Sequence, residues 1–177
     1  MIEVILVDEN DNPIGTEEKL KAHINSKLHR AFSIFIFNSK GELMIQKRAD
    51  NKYHCGGLWT NTCCSHPRVG QELKEDAQKR LNEEMGFECE IHEVFSMPYK
   101  AEVPSQKGEL TEHEYDHVFI GIFEGSANIN PEEAQDWKWI NTDELKKDIE
   151  KNPDKYTPWI RIILDKLLKA KKEFYEE

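Results

Sequence analysis

The sequence lacks most of what would commit it to a membrane, a nucleic acid or a disulfide scaffold. No uninterrupted apolar stretch approaches the ~18 residues of a membrane-spanning helix. Met1-Ile2-Glu3-Val4 has neither the basic region nor the apolar run of a secretory leader, and nothing resembles an extended transit peptide. Positive charge is in short supply: 24 Lys and Arg stand against 34 Asp and Glu, for a formal net charge of −10. A chain this acidic is a poor candidate for binding nucleic acid, so an anionic ligand needs a local basic cluster or a metal ion to hold it. Cysteine is sparse too. Of the four, Cys63 and Cys64 are neighbours, and a disulfide between them would be strained, so reduced thiols in a cytoplasmic protein are expected. Neither an internal repeat nor a low-complexity linker divides the chain, and residues 1–177 read as a single domain large enough for a real core.

What is present alternates between strand and helix patterns. Residues 2–7 read as a β-branched strand, residues 8–13 as a turn, and Ile14-Gly15-Thr16 as the start of a return strand. A short helix fits residues 17–22. His23 and His29 lie six apart, which does not suit one helix face, and are placed on a loop and at the start of the next strand. Residues 31–37 form a strand that turns at Asn38-Ser39-Lys40-Gly41 and pairs back through residues 42–48. Leu73, Ala77 and Leu81 mark one face of a helix over residues 70–85, closed by Gly86. Strands over 87–95 and 97–103, a loop at 104–108, and strands over 110–124 and 134–141 follow. Thr142-Asp143-Glu144 caps a helix to about residue 150, and Thr157-Pro158 opens the last, with Ile160, Ile163, Leu164, Leu167 and Leu168 as its buried stripe. The mixture predicts an α/β (α+β) fold, a mixed sheet sandwiched between helices.

Three stretches carry chemistry. Thr60-Asn61-Thr62-Cys63-Cys64-Ser65-His66-Pro67 sets two thiols and an imidazole within four positions. Such a group is a reactive centre beside a metal or half of a zinc site, although vicinal cysteines are also often inert core residues. On an extended strand Glu112, Glu114 and Asp116 share one face, with His113, Tyr115 and His117 on the other. Three carboxylates in a row either face water or are compensated by a hard divalent cation. Lys47, Arg48 and Lys52 form a small basic group ahead of the cysteines, either solvated or placed to receive a phosphate.

Taken together, Leu28-His29-Arg30-Ala31-Phe32-Ser33, Gln46-Lys47-Arg48, Thr60 through Pro67, Glu83-Glu84-Met85-Gly86, Glu112-His113-Glu114-Tyr115-Asp116 and Thr157-Pro158-Trp159 resemble the type 1 isopentenyl-diphosphate isomerases, a branch of the Nudix superfamily. Their order and spacing match over residues of about 16 to 168. The resemblance implies a Nudix-like sheet between helices, and conversion of isopentenyl diphosphate to dimethylallyl diphosphate in isoprenoid biosynthesis. That reaction protonates an unactivated alkene, passes through a tertiary carbocation and removes a proton from the opposite face. It implies Cys64 and Glu114 as the proton-transfer pair, assisted by Tyr99, with Trp159 offering its π face to the cation. His23, His29, His66, Glu112 and Glu114 match the ligands of a divalent metal (Mg2+, Mn2+ or Zn2+), while Lys19, Arg48, Lys52 and Arg80 match the diphosphate cations. Glu84 is implied as part of the site for a second Mg2+ that travels with the substrate. The implied partner is a small prenyl diphosphate, with no nucleic acid or membrane, acting on a monomer or weak dimer. Cys63 is expected to be a packing neighbour.

Two departures stand out. The Nudix hydrolase helix signature keeps Glu83-Glu84-Met85-Gly86, but Arg80 replaces its preceding Glu, and Gln71 and Ser65 replace the upstream Glu and Gly. A cation at Arg80 would repel a metal and welcome a phosphate, which weighs against the alternative of a Nudix-type pyrophosphohydrolase. A catalytically idle metal-binding Nudix domain would need a lesion among acid, base or ligands, and none is visible. Cys55-Gly56-Gly57 stands where the isomerase pattern often has aromatic-Pro-Gly, so different loop flexibility and substrate fit are expected there.

Overall fold

The computed structural model of the chain describes residues 1–103, 105 and 108–176. The sheet is built from β1 (Glu3–Val7), β2 (Pro13–Glu18), β3 (His29–Phe37), β4 (Leu43–Arg48), β5 (Trp59–Thr60), β6 (Cys63–Ser65), β7 (Ile91–Val103), β8 (Leu110–Ile122) and β9 (Ala134–Ile140). The helices are α1 (Lys19–Ile24), α2 (Leu73–Met85), α3 (Thr142–Lys151) and α4 (Pro158–Tyr175). Along one path the strands run β2-β1-β3-β4-β5, with β6 and β8 also pairing with β3, β7 on the far side of β8, and β9 beside β4. The predicted α/β sandwich is what forms.

Period-two alternation on β3 divides the core. Phe35 and Phe37 pack with Leu43 and Ile45 of β4 against Ile160, Ile163, Leu164 and Leu167 of α4. Phe32, Ile34, Ile36 and Met44 pack on the other side against Ala77, Leu81 and Met85 of α2. Both faces of the central strands are therefore covered, which is why β3 reads as a near-continuous apolar run rather than an alternating one. Each fully buried aliphatic or aromatic side chain here is worth about 1.5–3 kcal/mol. No helix among the described residues is long and apolar enough to cross a membrane.

β3 and β4 do not make the long hairpin that the sequence predicts. Their ladder holds only at Ile36↔Met44 and Phe37↔Leu43; beyond it β4 pairs with β9 and β5, while β3 pairs with β6 on one edge and in parallel with β8 on the other. The wedge between the diverging strands is filled by the polar residues before the cysteines. Thr62 Oγ1 accepts from Ile36 N (2.9 Å) and donates to Met44 O (2.6 Å), bridging the two strands that have parted. Asn61 Nδ2 donates to Ile34 O and Cys63 O. Thr60, Asn61 and Thr62 are fully buried, and their side chains replace ladder bonds that the splayed backbone cannot make.

Other boundaries move. His23 lies in the last turn of α1 rather than on a loop, because the helix runs to Ile24. The two strands predicted over 87–103 are one, β7, with a register shift between Glu93 and Phe95. Pro98 does not break it, since β7 pairs only with β8 and needs no donor on its outer side. Asn141, not Thr142, caps α3 by accepting from Asp143 N and Glu144 N. Gly86 ends α2 in the left-handed conformation, φ 72°, as its position predicts. Of the predicted loop at 104–108, Pro104, Gln106 and Lys107 lie outside the described residues.

Candidate active site and metal centre

The divergence of β3 and β4 opens a cavity of about 540 Å³. Cys64, His66, Tyr99, Glu112, Glu114, Glu84, Lys19, Arg48, Lys52, Arg80 and Trp159 all line it. His23 and His29 complete the predicted set from behind the wall, both fully buried. Every predicted site residue is thus brought to one place, from α1, β3, β4, β6, α2, β7, β8, α4 and the loop after β4.

The carboxylate face of β8 points inward. Glu112, Glu114 and Asp116 are buried, whereas His113 and Tyr115 on the opposite face are half-exposed. One ligand atom from each of His23, His29, His66, Glu112 and Glu114 lies within 4.8 Å of all the others. Backbone carbonyls fix two of the rings. His23 Nδ1 faces Lys19 O at 2.6 Å and His29 Nδ1 faces Lys27 O at 2.8 Å, so in the neutral ring the proton sits on Nδ1 and the lone pair on Nε2. Those Nε2 atoms then meet other acceptors: His23 Nε2 stands 3.2 Å from Glu112 Oε2, and His29 Nε2 stands 3.2 Å from His66 Nε2. His66 Nε2 lies 2.9 Å from Glu114 Oε1. Acceptors this close call for a cation among them, and imidazoles with carboxylates are a donor set that divalent metals take. The group can hold a divalent metal.

Electrostatics follow the same logic. Burial opposes the charge on Glu112, but its interactions with Glu114 and then with the His54 and His23 imidazoles keep its pKa well below the usual carboxylate range. Glu114 is also lowered: burial and Glu112 push it up, and the neighbouring His29 and His66 imidazoles overcome them. Burial pulls His23 down, yet Glu112 outweighs it and the net shift is upward, the response of a ring filling a cation's place with a proton. Asp116 goes the other way. Burial, then Glu114, raises it well above the normal range, and Ser33 Oγ donates to its Oδ2 at 2.8 Å. Glu112 and Glu114 are thus biased toward the ionised form and Asp116 toward the neutral one.

Cys64 and Glu114 approach the cavity from opposite edges of β3. Cys64 is the register partner of Ser33 on the β6 side, and Glu114 is the partner of His29 on the β8 side. Burial pushes the Cys64 thiol far above its ordinary pKa. Cys63 is fully buried on the α2 side and takes no part in the cavity wall. Tyr99 Oη donates to Glu114 Oε2 at 2.6 Å.

The remaining wall carries cations and an aromatic. The start of α4 is docked onto β5 by Thr157 N donating to Trp59 O (3.0 Å) and by the Thr60–Thr157 hydroxyl contact (2.8 Å). That docking sets Trp159, whose Nε1 donates to Asn61 Oδ1 at 3.1 Å. The Arg48 guanidinium lies 5.3 Å from the Trp159 ring centre. Burial lowers the pKa of Lys19. Arg80 is less free than its predicted role implies: its guanidinium bridges Glu84 (3.0 Å) and Glu133 (2.9 Å) and reaches Glu83 (3.1 Å). Lys52 also pairs with Glu133, and Gln46 Nε2 donates to the second oxygen of Glu84 at 3.0 Å. Lys47, on the outward side of β4, is not part of the wall.

Sequence reasoning missed Glu133 and His54. Glu133 sits in an acidic Pro131-Glu132-Glu133 run with no pattern to set it apart, and only folding brings it to Lys52 and Arg80. His54 stands next to Cys55-Gly56-Gly57, where the departure was noted but not its neighbour. The glycines there are required by close packing: a Cβ on Gly56 would stand 2.7 Å from Asp50 O, and Gly57 has φ +76°.

The NUDIX domain family matches residues 27–160. At 48% identity, isopentenyl-diphosphate Delta-isomerase 2 of Aromatoleum aromaticum aligns with 96% of this chain and 88% of its own length. The isopentenyl-diphosphate Delta-isomerase of Serratia proteamaculans is 49% identical over 93% of this chain and 90% of its own. This chain belongs to the isopentenyl-diphosphate Delta-isomerase branch of the NUDIX family. Solved structures agree on the fold. DR0079 of Deinococcus radiodurans superposes with a TM-score of 0.67 at 18% identity, covering 85% of this chain and 90% of that one. A MutT protein of Methanosarcina mazei gives 0.65 at 16%, covering 82% and 96%.

Proposed function

We propose that this chain, as a single catalytic domain, isomerises isopentenyl diphosphate to dimethylallyl diphosphate by protonation and deprotonation. The observation that carries the reading is the pairing of Cys64 and Glu114 on one cavity from opposite edges of β3, the first held as a thiol and the second as a carboxylate. A proton-in, proton-out reaction needs one donor and one acceptor at rest, each reaching a different carbon. A proton is added to the terminal alkene carbon, the tertiary cation forms, and a proton leaves the carbon next to it, so the double bond moves and no atom is gained or lost. Tyr99, hydrogen-bonded to Glu114, relays and orients the proton on that side. The indole of Trp159 faces the hydrocarbon with π density, which stabilises a cation that offers no hydrogen-bonding group.

His23, His29, His66, Glu112 and Glu114 would hold the resident divalent ion, which supplies positive charge that biases the protonation of Glu114. Lys19, Arg48, Lys52 and Arg80 gather the diphosphate. Glu84 would share a second Mg2+ with the diphosphate once Arg80 turns from the carboxylate to the phosphate oxygens.

Proton NMR of the metal-loaded protein with isopentenyl diphosphate in D2O tests the reading. Deuterium-labelled dimethylallyl diphosphate is the expected product. Free phosphate without an allylic product would replace the reading with a hydrolase, and an unchanged spectrum with Mg2+ and either Mn2+ or Zn2+ would overturn the roles given to Cys64 and Glu114.

A further inference from the structure

We propose that His54 is a positioning residue of the metal centre, holding Glu112 from outside the five-donor group. The inference rests on the metal-centre reading above and extends it to a residue beyond the ligands. His54 Nε2 lies 2.5 Å from Glu112 Oε1, and the other oxygen, Oε2, lies 3.2 Å from His23 Nε2. One oxygen is therefore committed to His54 and the other is turned toward the histidines. His54 is not itself among the five residues whose ligand atoms gather within 4.8 Å. Its reach ends at the carboxylate.

The proton arrangement fits this role. An ionised carboxylate can only accept, so the short contact requires the proton on His54 Nε2. The opposite nitrogen, Nδ1, is buried with no hydrogen-bond partner, as a ring nitrogen that has no proton to donate can be. The ring is 6% exposed, and a hydrogen bond at so buried a position is stronger than one in water.

The main chain around His54 fixes where that N–H points. His54 makes an isolated antiparallel bridge to Ser105, and its carbonyl accepts from Arg48 Nη2 at 3.2 Å. Cys55, with φ 52°, turns the chain sharply just beyond it. The imidazole lies tilted against Trp159 with ring centres 6.0 Å apart. One residue thereby touches a metal ligand with its side chain and a diphosphate cation with its backbone. Partners that orient a ligand in this way contribute about 10–100-fold to metal affinity.

The test uses the full chain stripped of metal and titrated with Zn2+ against a chromophoric chelator, comparing wild type, His54→Phe and His54→Gln. Melting temperatures of the metal-free proteins monitor the fold. His54→Phe keeps the ring and loses the donor, and should bind Zn2+ about 10–100-fold more weakly. His54→Gln restores an N–H and should return to within roughly threefold of wild type. Kinetically, the kcat of His54→Phe should fall at limiting metal and recover at saturating metal, with KM for the diphosphate little changed. Equal affinity in His54→Phe and wild type overturns the inference, and so does an equal loss in both variants, which is the mark of packing alone. If His54→Phe does not fold, His54→Ala reads the same loss of donor without added bulk. A wild-type chain that binds no Zn2+ would overturn the metal-centre reading itself, and the role of His54 with it.

Discussion

Tyr99 and Glu114 are register partners across the β7–β8 ladder, and the phenol donates to Glu114 Oε2 at 2.6 Å. The same carboxylate places its other oxygen 2.9 Å from His66 Nε2. Glu114 is therefore gripped between a hydroxyl on one strand and the metal-centre histidines on another, one oxygen for each. Strand pairing alone fixes the first grip.

Removing the hydroxyl should expose its role. Tyr99→Phe keeps the buried ring and should lower kcat by about 10- to 100-fold, a modest share of what a positioned proton-transfer group gives. KM for isopentenyl diphosphate should stay within a factor of a few, since Tyr99 is not among the cations. Steady-state kinetics at saturating metal make the measurement. A fall in KM-linked affinity with kcat unchanged would remove Tyr99 from the proton path.

Cys64 should behave as a thiol well past neutrality. Burial raises its folded-state pKa, so the neutral form is favoured, and any stability gained from it is present below the free-thiol range and lost as pH rises through the higher folded value. Burial also raises the other thiols, with Cys89 at about 11 and Cys55 at about 12. Iodoacetamide should accordingly modify the metal-free folded chain much more slowly at pH 8 than it modifies the urea-unfolded chain, and faster only as pH climbs above the ordinary thiol range. Mass spectrometry locates the adduct. Rapid labelling of Cys64 at pH 7 would show a thiolate and reverse its resting state.

Arg80 joins the substrate side to the acidic side of the cavity. Burial opposes its charge, but Glu84 and Glu133 outweigh that and hold it firmly protonated. Arg80→Ala should raise KM by roughly tenfold or more, from the loss of charge-assisted hydrogen bonds to the diphosphate, and leave kcat less affected. Arg80→Lys should recover only part of it, because an ammonium cannot bridge two carboxylates and a phosphate as a planar fork does. Binding of inorganic pyrophosphate, followed by calorimetry, separates the affinity effect from chemistry.

Thr62 tests the scaffold rather than the chemistry. Its hydroxyl serves Ile36 N and Met44 O in the wedge between diverging strands. Thr62→Val is nearly isosteric but leaves both groups buried and unpaired, at a cost of about 2–4 kcal/mol. At this chain length each kcal/mol corresponds to about 2–4 °C of melting temperature, so a drop near 4–16 °C is expected by calorimetry. A shift under 1 °C would mean that the strands re-pair without it.

Much of this was legible in the chain. The apolar stripe of α4, the Gly86 stop, the shared carboxylate face of β8 and the Thr60-to-Pro67 block are local patterns, set by helical and strand periods that need no tertiary contact to be read. The errors were of another kind. The β3–β4 hairpin was overextended because turn chemistry fixes where two strands start to pair and says nothing of where they part. The spacing of His23 and His29 suits no single element because one lies in the last turn of a helix and the other begins a strand.

The sequence by itself determined the residue types the chemistry needs, the elements that carry most of them and the family that uses them, because those depend on short-range periodicity and on side-chain chemistry. Only the tertiary structure decided that Glu133 answers Lys52 and Arg80, that His54 holds Glu112, and that Cys64 and Glu114 reach the cavity from the two edges of β3. These relations join residues 50 to 81 positions apart in the chain, and no periodicity spans such gaps; they exist only once burial of β3 between two helical layers forces the strands apart.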